Sequence, residues 1–144
     1  MIIADNVHVH FRRGLLRTQV RALNGLSLEV REGDFFAAVP AGADVYLLSS
    51  IVHNWDEADA RAILARIGEA MGAAGRVIVL EMVLPDDDSP HTGKELDMGI
   101  MGLFKAGRER TLAEYTALLA SAGLRITEVV ELTRDTSAIV AARG

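Results

Sequence analysis

The sequence predicts an α/β fold with an open sheet, preceded by a β-hairpin. Three observations carry this. The apolar run Val45-Tyr46-Leu47-Leu48 ends abruptly in His53-Asn54-Trp55-Asp56 and passes into Ala60, Ile63, Leu64, Ile67 and Met71 at helical spacing, the pattern of a buried strand leading into an amphipathic helix. One helix later comes a second nearly continuous apolar stretch, Val77 to Leu84. Residues 2–11 and a stretch within 20–31 instead alternate apolar with polar, as half-buried strands do.

Composition bounds the function. The 144 residues have room for one core of ordinary size. Half of them are hydrophobic and 24% are charged, so the chain folds, and its apolar surplus favours a homo-oligomer. A net charge of −5 argues against a nucleic-acid partner, although Arg12, Arg13, Arg17, Arg21 and Arg31 crowd the opening. There is no cysteine, hence no disulfide framework, thiolate nucleophile or Cys-based metal site. A cytoplasmic location fits best. No apolar run is long enough to cross a membrane, and Asp5, His8 and His10 occupy the place of a signal peptide's apolar core.

In chain order, residues 2–11 read as a strand, 12–19 as a loop and 20–31 as a second strand closed by the Glu32-Gly33 turn, together an antiparallel hairpin. His8 and His10 are either an i, i+2 ligand pair or polar residues on the open strand face. A seam falls between Gly33 and Pro40, which separates an N-terminal hairpin segment, 1–33, from a second segment, 34–144. The strand 44–52 leads to His53, and Asp56 caps a helix that runs to Met71. Gly72 to Gly75 turn the chain into a buried, parallel strand over 76–85, and the helix between the two strands makes a right-handed β-α-β unit. Residues 85–95 form an exposed loop whose Asp86, Asp87 and Asp88 are either a cation site or solvated surface. A short apolar helix spans 96–104. Thr111 and Glu114 form a capping box for a further helix that Gly123 ends. Two closing strands follow, over 125–132 and 136–143.

Ligands in open α/β sheets sit just past strand ends, which singles out His53. Glu81 lies inside an apolar strand and must find a partner or shift its pKa upward; a structural pairing with an arginine explains it as well as catalysis does. Taken alone, His53 reads first as a satisfied core histidine and only second as a base, and Glu109 reads as a charge near a helix N-terminus.

Residues 22–33, Ala-Leu-Asn-Gly-Leu-Ser-Leu-Glu-Val-Arg-Glu-Gly, resemble the opening strands of ABC-transporter ATPase subunits. The phosphate loop that should follow lacks its Lys and Ser/Thr, so an ATP-binding role is disfavoured. From Gly33 onward the chain resembles the catalytic half of S-adenosylmethionine-dependent O-methyltransferases of the plant caffeate and bacterial small-molecule type. The matching pieces are Gly33-Asp34-Phe35-Phe36, Pro40 with Ala43 to Tyr46, His53-Asn54-Trp55-Asp56, Gly75 to Glu81 with Pro85, Leu96-Asp97-Met98, Gly107 to Thr111 and Ala122-Gly123-Leu124.

The resemblance implies a partial Rossmann-like methyltransferase sheet, made of its later strands with the last one antiparallel. It also implies methyl transfer to a hydroxyl of a small, aromatic acceptor, with His53 as general base and Glu81 and Glu109 as its flanking acids. Asp34, Phe35 and Ser49 would contact the S-adenosylmethionine cofactor, and Met98, Ile100 and Met101 the acceptor; no metal is implied. The family's Gly-rich cofactor turn, the acid after its second strand and its helical dimerisation domain have no counterpart before Gly33. By that reading the chain carries part of the cofactor site. The alternative is a non-catalytic binding or assembly module derived from a methyltransferase.

Overall fold

The computed structural model describes residues 2–13, 18–30, 33–103, 107–133 and 135–144. Backbone contacts group them into two units, Met1–Gly33 and Asp34–Gly144.

The first unit is an antiparallel pair, β1 (Ile2–Arg13) and β2 (Thr18–Val30), in register from Ile2 opposite Val30 to Arg13 opposite Thr18. Register shifts between Ala4 and Val7, Val7 and His8, and Val9 and His10 interrupt the strict alternation read from the sequence. The side chains of His8 and His10 lie outside the described part of the structure.

The second unit is built on a sheet of order β3-β4-β7-β6, from β3 (Val45–Ser49), β4 (Arg76–Leu84), β6 (Leu124–Glu131) and β7 (Thr136–Arg143). Strands β3 and β4 run parallel, joined by helix α1 (Glu57–Ala70), whereas β7 lies antiparallel between β4 and β6. The expected α/β architecture and antiparallel last strand are therefore present.

Each helix begins where its sequence says it should, with one exception described below. Asp56 accepts from the Asp59 N–H at 2.8 Å to cap α1. Thr111 and Glu114 form a reciprocal capping box on α3 (Leu112–Ser121), and Gly123, at φ +71°, ends it in the left-handed conformation glycine tolerates best. Ile63, Leu64 and Ile67 of α1 and Tyr115, Leu118 and Leu119 of α3 are buried against Val77, Val79 and Ile139 of the sheet. Burial along β4 alternates, contrary to the two-sided burial expected of an apolar run: Val77, Val79 and Glu81 are fully buried, while Ile78, Leu80 and Met82 are half-buried. The period of two puts Glu81 on the same face as the core valines.

Two boundaries of the second unit differ from expectation by three or more residues, each for a local reason. Helix α2 (Thr92–Leu103) starts four residues before Leu96, because His91 Nδ1 accepts from the Gly93 N–H at 3.0 Å and satisfies a free donor of the first turn. Strand β3 stops at Ser49 rather than reaching residue 52, because Ser50, whose N–H makes a last bond to the Leu80 carbonyl at 3.1 Å, adopts φ +53° and turns the chain out of the ladder. A two-residue strand, β5 (Arg110–Thr111), pairs parallel with Val83 and Leu84 and fixes the loop that the sequence left unassigned.

Candidate active site

The site forms where β3 gives out. Beyond Ser50 a single 3-10 turn, Val52–Asn54, carries His53. The N–H groups of Ile51 and Val52 opening that turn have no carbonyl partner within it; both donate instead to Glu81 Oε1, at 3.0 and 2.8 Å. A carboxylate buried at 2% exposure on β4 thereby holds the backbone that presents the histidine.

The other end of the turn is held by Arg110, whose side chain is fully buried. Its guanidinium donates to the Val52 carbonyl at 3.1 Å and to the Trp55 carbonyl at 3.0 Å, one on each side of His53. Its Nε lies 3.6 Å from Glu57 Oε2. The planar fork of arginine suits two carbonyls held at fixed positions. Gly107 packs directly beneath: a Cβ there would lie 2.7 Å from the His53 carbonyl oxygen and 2.9 Å from Ile100 Cγ2.

His53 Nδ1 lies 3.0 Å from Glu109 Oε1 and 3.3 Å from Glu81 Oε2. With two acid oxygens facing one ring nitrogen, the neutral imidazole keeps its proton on Nδ1 and leaves Nε2 with a free lone pair. Glu109 is 2% exposed, and its backbone N–H donates to Asp97 Oδ1 on α2 at 2.6 Å. The hydrogen bond to Glu109 raises the His53 pKa above its ordinary 6.5; burial works against this, and the charge of Glu81 adds to it. Burial pushes the Glu81 carboxyl up, opposed by the neighbouring imidazole and by its two backbone donors.

His53, Glu81 and Glu109 open onto a cavity of about 360 Å³, walled on its apolar side by Leu80, Met82, Leu96 and Ile100 and on its polar side by Ser50, Asn54 and Thr136. This is the size and composition of a small-ligand site. Of the residues expected to meet an acceptor, Ile100 lines the cavity, while Met98 is 75% exposed and does not. The cause is helical geometry: Leu96 and Ile100 are four apart on one face, and Met98 is about 200° around the helix from Leu96. The Met101 side chain lies outside the described part of the structure.

The residues expected at the cofactor lie elsewhere in the same unit. Asp34 Oδ1 accepts from the Phe36 N–H at 2.9 Å, which fixes the carboxylate. Phe35 packs edge-on to Trp55 with ring centroids 5.8 Å apart, which joins this segment to the turn carrying His53. Ser49 is exposed at the end of β3, and the cavity wall is taken by its neighbour Ser50. Sequence reasoning missed Arg110, Gly107, Leu80, Met82 and Leu96. Only the i, i+4 pairing of Leu96 with Ile100 gave a usable signal.

A parallel β-α-β sheet closed by an antiparallel strand, with an acid-flanked histidine past the end of its edge strand, defines the class. The chain belongs to the O-methyltransferase domain family, whose model matches residues 16–125. It is 41% identical over 98 residues to the phenazine O-methyltransferase PhzM of Lysobacter antibioticus, covering 68% of this chain and 28% of that protein. It is 44% identical over 98 residues to the 2,7-dihydroxy-5-methyl-1-naphthoate 7-O-methyltransferase of Streptomyces carzinostaticus, with the same coverage. Among solved structures, the O-methyltransferase NcsB1 from neocarzinostatin biosynthesis, in complex with S-adenosyl-L-homocysteine and 1,4-dihydroxy-2-naphthoic acid, superposes with a TM-score of 0.70 at 38% identity, over 78% of this chain and 33% of that one. The chain thus spans about 28% of the length of these curated relatives. Among the described residues no helix is long and apolar enough to cross a membrane.

Proposed function

We propose that this chain carries the base and the acceptor pocket of an S-adenosylmethionine-dependent O-methyltransferase acting on a hydroxyl of a small aromatic molecule. The observation that carries the reading is the placement of His53 Nδ1 between Glu109 and Glu81 at the wall of the cavity. The acceptor hydroxyl gives its proton to His53 Nε2, which makes its oxygen the better nucleophile. The imidazolium formed is matched on Nδ1 by Glu109 and Glu81, so the positive charge arises where two acids already await it. Leu80, Met82, Leu96 and Ile100 hold a flat apolar acceptor, and Ser50, Asn54 and Thr136 meet its polar edge.

When bound, S-adenosylmethionine supplies an electrophilic methyl group on a positively charged sulfur. The Asp34 carboxylate can accept from an amine and Phe35 offers a half-buried ring, so both fit contacts to the cofactor, with Ser49 a further polar partner. The acceptor class is supported by the naphthoate and phenazine relatives. In this reading Asp34–Gly144 is the catalytic domain and residues 1–33 a separate β-hairpin domain, the protein acts in the cytoplasm, and exposed Val45 and Leu47 on β3 favour self-association.

Calorimetric titration with S-adenosylmethionine, followed by transfer to a dihydroxynaphthoate, tests this. Binding tighter than about millimolar, with transfer lost in His53→Ala at unchanged cofactor affinity, is expected. Absence of binding, or an active His53→Ala variant, contradicts it.

A further inference from the structure

The three residues around the base also match the donor set of a metal centre. From three separate elements they bring one imidazole nitrogen and two carboxylate oxygens to within 4.8 Å of one another. We propose that His53 Nδ1, Glu81 Oε2 and Glu109 Oε1 bind a divalent first-row transition ion of the Zn²⁺ type, and that the bound ion switches the base off. The inhibitory half of this proposal rests on His53 being the base.

Four features support the site. The Nδ1-to-oxygen distances of 3.0 and 3.3 Å are close to the ligand-to-ligand edge of a tetrahedral zinc site, which is about 3.3 Å for bonds of about 2.0 Å. Glu81 Oε2 and Glu109 Oε2 are buried with no hydrogen-bond partner among the described residues, so each carboxylate has unused acceptor capacity inside the cluster. Glu81 is already oriented through its other oxygen by the Ile51 and Val52 N–H groups, as outer-shell donors orient a metal ligand. Two buried acids beside each other repel, and a dication relieves that repulsion where a single imidazolium does so only in part.

The chemistry of the ligands selects the ion. An imidazole in the set favours zinc, cobalt or nickel over magnesium and calcium, which take oxygen ligands. Three protein ligands leave a fourth position toward the cavity, which all three residues line. The consequence for the base follows from the ring. A metal on Nδ1 takes that lone pair and displaces the Nδ1 proton, so the neutral ring carries its proton on Nε2, the nitrogen that must accept one from the substrate. The Asp86-Asp87-Asp88 loop is no rival: Asp87 and Asp88 are exposed, and Asp87 Oδ1 is taken by the Ser89 N–H at 3.0 Å.

The test is titration of the full chain with Co²⁺, read by its visible ligand-field absorption, with Zn²⁺ as competitor. One site per chain is expected, with the Co²⁺ bands displaced by Zn²⁺. His53→Ala and Glu109→Gln should each weaken binding more than about tenfold, since losing an outer-shell partner alone costs that much. Asp87→Asn should leave it unchanged. No bands up to about millimolar free ion, or bands that survive in His53→Ala, overturn the site. The readout needs no methyl transfer, so the two readings fail separately. Metal binding with a His53→Ala variant that still transfers methyl ends the base assignment and with it the inhibitory half, leaving the site itself; His53-dependent transfer without metal binding ends this proposal alone.

Discussion

Glu81 reaches His53 twice over: Oε2 stands 3.3 Å from the imidazole Nδ1, while Oε1 takes the two N–H groups that open the turn on which His53 rides. One side chain thus fixes both the position of the ring and its charge state. The two roles separate by substitution. Glu81→Gln keeps an acceptor for the Ile51 and Val52 N–H groups but removes the charge and puts an amide donor in place of the oxygen facing Nδ1, so it should fold with a stability change below about 1 kcal/mol while lowering the His53 pKa. Glu81→Leu orphans both donors and should cost about 2–5 kcal/mol. Urea unfolding of the two variants checks the contrast.

The pH dependence follows from the raised His53 pKa. A base works only when unprotonated, so the rate should climb as pH rises, with its inflection above 6.5. Glu109→Gln removes the negative charge from the hydrogen-bond partner that contributes most to the shift, so the inflection should move down. The same group has a linked effect on folding. A pKa raised in the folded state stabilises fully below the unfolded value, and the benefit fades as pH rises through the folded one. His53→Ala should accordingly lose more stability relative to the parent at pH 6 than at pH 9, measured by thermal unfolding in matched buffers.

Arg110 bonds the carbonyls on both sides of His53 and is wholly buried, so Arg110→Met should be costly without touching any substrate. A loss of about 2–4 kcal/mol is expected from two orphaned carbonyls, together with a fall in kcat larger than any change in KM. Arg110→Lys should recover only part of the loss, because an ammonium lacks the fork. Steady-state kinetics alongside unfolding separates this positioning role from mere destabilisation.

Gly107→Ala would place a methyl group 2.7 Å from the His53 carbonyl oxygen. The clash is with backbone, so the turn itself must shift. Activity should drop by an order of magnitude or more while the fold survives, whereas Gly72→Ala, which meets open space, should be nearly silent.

Along α2, Ile100→Ala should raise the acceptor KM by roughly tenfold, for about 1–3 kcal/mol of lost apolar contact. Met98→Ser, at a position 75% exposed, should change little in the isolated chain. Acceptor saturation curves distinguish them.

What the sequence made legible was local. The Asp56 cap, the Thr111–Glu114 box and the Gly123 stop each need only neighbours along the chain, and each is present. His53 and Glu81 stood out because a titratable residue past or within an apolar strand is costly to bury unless a partner or a reaction makes use of it. Arg110 did not, because its burial comes from carbonyls 55 and 58 residues away, which no pattern inside the Glu109-Arg110-Thr111 segment encodes. Gly107 entered only as part of the matching piece Gly107 to Thr111, for the same reason. The end of β3 was misplaced because Glu81, 30 residues further on, supplies the partners that a longer ladder would otherwise have given. Met98 was placed with Ile100 by the family resemblance of their segment, whereas the helix repeat separates them.

Nitrogen-15 NMR of imidazole-labelled protein, with His53 assigned by comparison with His53→Ala, tests the acid-flanked base most directly and needs no turnover. The neutral ring should carry its proton on Nδ1, with a pKa above 6.5 that falls in Glu109→Gln. A ring protonated on Nε2 in its neutral form, or a pKa at or below 6.5 that ignores Glu109, would contradict it.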